Sequence, residues 1–253
     1  MKLLIGNTGL IGKTLKDSIK FDIEINSSNI NELLNTDINN YDLYLSCLPA
    51  TKWIINKNPI EDYKNLLDIY SMISKYHYNK IILFSTIDVY SDSPFLVDET
   101  YNPNIKDINY GSNRYTFELL VSKLKYNQIQ IFRLPALFGN KIKKNILFDL
   151  LNNHNIDQIN FNSTYQWFNL DDLFFTINNM KDISGSINLF SQPLDSNCFI
   201  ELFNITKGNK SSTKIEYNYK TKYSSTGYIK SSKEVFEEIS RFVHDYRNKP
   251  ASI

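Results

Sequence analysis

A short apolar run, Leu3-Leu4-Ile5, gives way to glycines at positions 6, 9 and 12, and apolar residues then return at Ile11, Leu15 and Ile19. The run has the length of a buried strand, and the later spacing is that of a helix face. Strand, glycine turn and helix are therefore predicted within the first twenty residues. Residues 21–26 alternate as a second strand, and 30–34 read as a short helical segment. Residues 42–48 form a buried strand halted at Pro49. A helix follows over 62–76, with Leu66, Ile69, Tyr70 and Ile73 on one face. Residues 80–85 are the clearest buried strand, 115–124 a helix and 129–134 another strand. Strands that alternate with helices pair in parallel, so the pattern predicts an α/β fold with a Rossmann-like doubly wound sheet.

From about residue 141 the rhythm loosens. Helices are predicted over 145–151, 171–180 and 199–205, and strands over 156–161, 186–190 and 214–219. In the last helix Ser231 and Glu234 form a capping box, and Val235, Phe236, Ile239, Phe242 and Val243 line one face. Lys249-Pro250 ends it. The loops 152–155 and 207–212 read as solvated. The predicted organisation is a dinucleotide-binding domain over 1–140 and a smaller substrate-binding lobe over 141–253, interleaved with the first.

The glycines carry the first candidate chemistry. Gly6 allows a tight turn, Gly9 lets a pyrophosphate approach the backbone, and Gly12 lets helix and strand pack closely. Backbone N–H groups around Thr8, Leu10 and Ile11 then meet the phosphates at a helix start. Gly12-Lys13-Thr14 also ends like the phosphate loop of nucleotide hydrolases, but that motif needs a glycine where Asn7 stands.

A second constellation follows the clearest strand, which runs into Thr86-Ile87-Asp88-Val89-Tyr90; Tyr110-Gly111-Ser112-Asn113-Arg114 stands further on. Thr86 lies at a strand's carboxyl end, where a parallel sheet keeps its site. Tyr110 opens a helix that can run back along the same sheet. A hydroxyl and a phenol converging on one oxygen suit proton transfer to a carbonyl or from a carbinol.

These segments together resemble the extended short-chain dehydrogenase/reductase family, which includes nucleotide-sugar epimerases, dehydratases and 4-ketoreductases. The family's Gly-x-x-Gly-x-x-Gly motif matches Gly6, Gly9 and Gly12, and its Ser-Ser/Thr-x-x-Val-Tyr segment matches residues 85–90. Its Tyr-x-x-x-Lys motif matches Tyr110 to Arg114, with Arg in place of Lys. Arg133-Leu134-Pro135, the Trp167 to Leu173 segment with Asp171-Asp172, and Asn58-Pro59 with Tyr63-Lys64-Asn65 extend the likeness to about residue 205. The compact length is similar to that of the dTDP-4-dehydrorhamnose reductase branch.

The resemblance implies roles residue by residue. Tyr110 is the expected general acid/base, Thr86 its hydrogen-bonding partner on the same substrate oxygen, and Arg114 the residue beside the nicotinamide ribose that biases Tyr110 towards phenolate. Leu134 and Pro135 flank the nicotinamide, and the segment holding Cys47, Leu48 and Pro49 passes under the cofactor. Lys52, Asp88 and Trp167 join Thr86 as expected substrate contacts; Trp53 and Trp167 either stack on a base or sugar or pack in the core. The second strand ends in Asn26-Ser27-Ser28, without a carboxylate for a ribose diol, and small hydroxyls favour NADP over NAD. The implied reaction is hydride transfer to or from a nucleotide-activated sugar, with 4-keto reduction first. An epimerase with retained NAD, or a dinucleotide-binding sensor with catalysis eroded at Arg114, are the alternatives. A dehydratase needs a carboxylate pair just after the catalytic Thr, and Ile87-Asp88 does not supply one.

Composition narrows the partners. Lys+Arg number 28 against Asp+Glu 27, a net charge of +1, which is no footprint for nucleic acid. Cys47 and Cys198 sit on apolar segments without metal-ligand spacing and read as core residues of a reduced compartment. His77, His154 and His244 are scattered and read as surface residues. No metal site, signal peptide or membrane span is predicted. The expectation is a cytoplasmic enzyme, with a homodimer possible through flanking helices.

Overall fold

The computed structural model describes residues 1–205 and 213–248. In chain order the elements are β1 (Lys2–Ile5), α1 (Leu10–Lys16), β2 (Ile23–Ile25), β3 (Asp42–Leu45), α2 (Lys52–Ile55), α3 (Pro59–Ile73), β4 (His77–Thr86), α4 (Tyr110–Val121) and β5 (Lys125–Leu134). There follow β6 (Ala136–Phe138), α5 (Ile146–Leu151), β7 (Thr164–Tyr165), β8 (Trp167–Asn169), α6 (Leu173–Asn179), β9 (Gly185–Asn188), β10 (Leu194–Asp195), α7 (Cys198–Leu202) and α8 (Ser232–Arg247). Among the described residues no helix is long and apolar enough to cross a membrane.

The chain divides into two compact units. The first comprises Met1–Pro94, Glu99–Leu134 and Leu173–Asn188, and the second the remainder. The first holds a six-stranded sheet in the order β2-β1-β3-β4-β5-β9, parallel throughout. β1 lies between β2 and β3, so the winding reverses beside it. In such sheets the crevice for ligands opens at that reversal, beyond the strands' carboxyl ends. α3 supplies Leu66, Ile69 and Ile73, and α4 supplies Phe117 and Val121, to a core shared with Leu43, Leu45, Ile81, Leu83, Ile129 and Ile131. Fully burying such a side chain is worth about 1.5–3 kcal/mol, so this face holds both helices against the sheet.

Two helix starts differ from the periodicity. α3 begins at Pro59, whose fixed φ suits a first helical turn. α4 begins at Tyr110, because Asn109 Oδ1 accepts from the Ser112 N–H at 3.0 Å and Ser112 Oγ accepts from the Asn109 N–H at 2.8 Å. This capping box adds the whole first turn that the apolar spacing alone does not predict.

The second unit contains two small pairings, β6 with β8 in parallel and β7 with β10 antiparallel. The Ser231–Glu234 capping box opens α8 as predicted. The strand predicted over 156–161 is instead a 3-10 turn at Ile156–Gln158. Asn155 enters it in the left-handed region at φ 48°, and Asn160 accepts from the Asn162 N–H, which bends the chain away from an extended path. The strand predicted over 214–219 is reduced to one bridge between Thr164 and Glu216. The loop 207–212 and Lys249-Pro250 lie outside the described residues. Cys47 and Cys198 are half-buried free thiols; Cys47 packs against the core of the first unit.

Candidate functional site

The glycine turn shows which of its glycines the protein itself requires. Gly6 has φ +100°, and a Cβ there would lie 2.3 Å from the Ser46 carbonyl oxygen. A Cβ on Gly12 would lie 2.2 Å from the Gly6 oxygen. Gly9 differs: its φ of −71° suits any residue, and a Cβ would meet its nearest atom at 3.4 Å, an ordinary contact. Nothing within the described chain therefore demands glycine at position 9. Thr8 and Gly9 are exposed, Leu10 and Ile11 half-buried, and no described side chain caps α1. These residues fit the diphosphate of a dinucleotide.

The difference is measurable. Gly12→Ala is expected to cost about 1–3 kcal/mol of stability by overpacking. Gly9→Ala is expected to leave the thermal midpoint unchanged but weaken dinucleotide binding about tenfold, or ~1.4 kcal/mol. Calorimetry reads both. Undiminished dinucleotide affinity in Gly9→Ala removes the turn as a cradle.

At the end of β2 the predicted ribose-side residues staple their own turn. Asn26 Oδ1 accepts from the Ser28 N–H at 2.8 Å and from Ser28 Oγ at 2.5 Å, leaving Ser27 and Ser28 exposed. A carboxylate nevertheless stands near this end: Glu24, inside β2. Its Oε2 accepts from Asn7 Nδ2 at 3.1 Å and pairs with Lys16 at 2.5 Å. The Lys16 hydrogen bond is the main cause holding its carboxyl below the usual range. Beyond β3, Cys47 and Leu48 are half-buried and Pro49 exposed; burial pushes the Cys47 thiol up to about 12.

Thr86 and Tyr110 meet at the carboxyl end of β4. The Thr86 hydroxyl lies close enough to the Tyr110 phenol to pull its pKa down. Their approach has a visible cause: a Cβ on Gly111 would lie 2.1 Å from the Asp88 carbonyl oxygen, so glycine lets the first turn of α4 press against the turn after β4. The Asp88 N–H donates to Thr86 Oγ1 at 3.2 Å, and Thr86 Oγ1 in turn donates to Asp88 Oδ2 at 3.3 Å. Lys52 Nζ pairs with Asp88 Oδ1 at 2.6 Å. Four predicted residues, Lys52, Thr86, Asp88 and Tyr110, thus form one cluster. Tyr110 is 6% exposed. Burial raises its pKa above the ordinary phenol value; Arg114 and the Thr86 hydroxyl oppose that rise, and the Asp88 charge adds to it.

Arg114 lies over the Tyr110 ring, its Cζ 4.7 Å from the centroid. Its charge is matched by a residue that sequence reasoning missed. Arg114 Nη1 donates to Asp62 Oδ2 at 2.8 Å, and Nη2 donates to Asp62 Oδ1 at 3.0 Å and to the Pro49 carbonyl at 2.6 Å. Asn113 Nδ2 donates to the same Asp62 Oδ2 at 2.8 Å. The expected push of Arg114 towards a Tyr110 phenolate is outweighed by burial, and the phenol stands above its ordinary pKa.

Beneath this cluster runs a second buried network. Arg133 donates from Nε and Nη2 to Glu118, and from Nη1 to the Tyr90 hydroxyl. Asn188 Nδ2 donates to the Tyr90 hydroxyl at 3.1 Å, and the Asn188 N–H donates to Glu99 Oε1 at 2.6 Å. Tyr90 closes the 3-10 turn that Thr86 opens, so the network anchors the residues after Thr86. Leu134 ends β5 and is buried; Pro135, also buried, begins a stretch of the second unit. Trp167 is a correction. At 1% exposure it packs edge-on against Phe138 and Phe199 and offers no face to a substrate. Trp53, by contrast, is 63% exposed, with Lys57 over its ring.

No family model matches the chain, and no curated protein matches it. Solved structures share its fold along nearly its whole length. UDP-glucose 4-epimerase from Thermotoga maritima, solved with UDP-glucose, gives a TM-score of 0.67 at 15% identity, over 98% of this chain and 99% of that one. dTDP-4-dehydrorhamnose reductase from Bacillus anthracis in complex with NADP gives 0.69 at 19% identity, over 97% and 99%. An NAD-dependent NDP-hexosamine 5,6-dehydratase of tunicamycin biosynthesis gives 0.74 at 13% identity, over 98% of each. The fold is that of nucleotide-sugar epimerases, dehydratases and reductases, the group to which the sequence motifs point.

Proposed function

We propose that this chain is an NAD(P)-dependent oxidoreductase acting on a nucleotide-activated sugar, and that it reduces a 4-keto carbon. The observation that carries the reading is the meeting of Thr86 and Tyr110 at the carboxyl end of β4, in the same sheet as the Gly6, Gly9 and Gly12 turn. The turn, with Thr8, Leu10 and Ile11, is the holder of the dinucleotide diphosphate; Asn26, Ser27 and Ser28 face the ribose that distinguishes NADP from NAD. Cys47, Leu48 and Leu134 complete the cofactor's surroundings in this unit. When bound, the nicotinamide supplies the hydride. Tyr110 gives its phenolic proton to the carbonyl oxygen, and Thr86 holds that oxygen in place by a hydrogen bond. Lys52 and Asp88 border the sugar. A phenol above its ordinary pKa is protonated at neutral pH, which suits reduction better than oxidation.

The neighbours' own ligands support the substrate class: one was solved with UDP-glucose and another with NADP. The test has two arms. The purified protein is denatured and the supernatant assayed for NAD(H) and NADP(H); separately, native protein is mixed with NADPH and a 4-keto nucleotide sugar. Consumption of NADPH is the expected result. Tightly retained NAD with interconversion of sugar epimers points to the epimerase instead. Dinucleotide binding without turnover in either arm points to a sensor, the reading that Arg114 in place of Lys favours.

A further inference from the structure

We propose that Asp62 is a positioning residue for Tyr110, acting through Arg114: it clamps the guanidinium and cancels its charge, so that the phenol keeps its proton until a substrate oxygen takes it. The inference rests on the reading of Tyr110 as proton donor for its bearing on turnover, and on geometry for the rest.

Asp62 and Arg114 side chains are each 5% exposed. A buried carboxylate is costly unless its oxygens are bonded, and Asp62 takes two guanidinium N–H groups and the Asn113 amide. Arg114 Nη2 is held further by the Pro49 carbonyl. The guanidinium plane is thereby fixed over the Tyr110 ring. An unmatched positive charge placed over the ring, 4.7 Å from its centroid, is worth on the order of 3 kcal/mol to a phenolate at an effective dielectric near 20, or about two pK units. A carboxylate bonded to both terminal nitrogens converts that charge into a compact dipole, whose field falls off faster.

The other groups around the phenol are also matched. The turn after β4 brings Thr86, a neutral hydroxyl, and Asp88. α2 brings Lys52, paired with Asp88, while Asn56 beyond its end accepts from the Tyr110 N–H at 2.9 Å. Cys47, after β3, senses the same guanidinium and is kept a neutral thiol by burial. Each charge beside the phenol thus has a partner, Arg114 with Asp62 and Asp88 with Lys52, and burial is the largest influence in favour of the protonated phenol.

The test follows Tyr110 by NMR in full-length protein labelled with 13C at the tyrosine ζ carbon, its signal assigned by loss in Tyr110→Phe. In the unsubstituted protein it is expected to titrate above pH 10. Asp62→Asn keeps the shape and one acceptor but removes the charge; it is expected to bring the titration down by about one unit or more. The high-pH limb of the reduction rate should fall with it. Adding Arg114→Gln should restore the high value. An unmoved Tyr110 titration in Asp62→Asn, whatever the change in melting temperature, reduces Asp62 to a strut and overturns the proposal. If Asp62→Asn does not fold, Arg114→Gln alone decides: it should push Tyr110 still higher, and no movement overturns the proposal. A shifted titration in a protein with no reductase activity sinks the functional reading instead and leaves the role of Asp62 standing.

Discussion

Tyr110→Phe is expected to lower the rate of keto reduction about a thousandfold while changing dinucleotide affinity less than about twofold. The substitution removes one oxygen. The ring stays beneath the Arg114 guanidinium, and the helix start stays capped by Asn109 and Ser112. On the proposed mechanism, what is lost is the proton that the phenol gives to the carbonyl oxygen, together with its contact to the Thr86 hydroxyl. Positioned acids contribute about 10²–10⁴-fold to such steps. An interaction made only in the transition state lowers kcat and kcat/KM together. Single-turnover measurement with saturating NADPH isolates the step. A rate within about threefold of the unsubstituted protein takes Tyr110 out of the mechanism.

Glu118→Ala has the largest expected effect on stability, a loss of about 3–5 kcal/mol. Arg133 and Glu118 side chains are 4% and 3% exposed, and the guanidinium makes contacts of 3.1, 3.1 and 2.6 Å to the carboxylate. The Glu118 charge and hydrogen bonds outweigh the cost of burial and raise the Arg133 pKa. An arginine stays protonated even without its partner, so Arg133 cannot escape by losing its proton when the carboxylate is removed. A domain's whole stability is only about 5–15 kcal/mol, so the variant should unfold at a much lower urea concentration. Pairing Glu118→Leu with Arg133→Met should recover most of the loss, because an apolar pair leaves no stranded charge. That double variant also loses the Arg133 bond to the Tyr90 hydroxyl, so it should stay folded yet hold the turn after Thr86 less firmly.

The parts of this site that were legible in the sequence are those made by neighbours in the chain. Leu3 to Ile5 followed by glycines could only be a strand entering a turn, and the run ending at Ser85 put Thr86 at a strand's carboxyl end. Asp62 and Glu118 were not legible. Each stands on a helix between apolar positions, where an acid ordinarily faces water; each is buried because an arginine, Arg114 or Arg133, reaches it from another element. Such pairing leaves no period in the sequence. The start of α4 is marked by the Tyr110-x-x-x-Arg114 segment but not by the apolar spacing, because its capping box uses Asn109 and Ser112 where the usual signal is Ser or Thr with Glu. For Trp167 the sequence left stacking on a ligand and core packing open, and the packing of Phe138 and Phe199 from distant segments decides for the core. Glu24 was overlooked because the carboxylate was sought beyond the strand and lies within it.

The pairing of β5 with β9 also has a bearing on synthesis. β5 is complete at Leu134, but the strand that covers its outer side begins only at Gly185. At 5–20 residues per second, the ribosome leaves that side of the nascent sheet uncovered for several seconds. An uncovered strand is a template for a strand from another chain. Products terminated before residue 185 never receive the cover, so truncated chains should be the seeds of aggregation in any preparation of this protein.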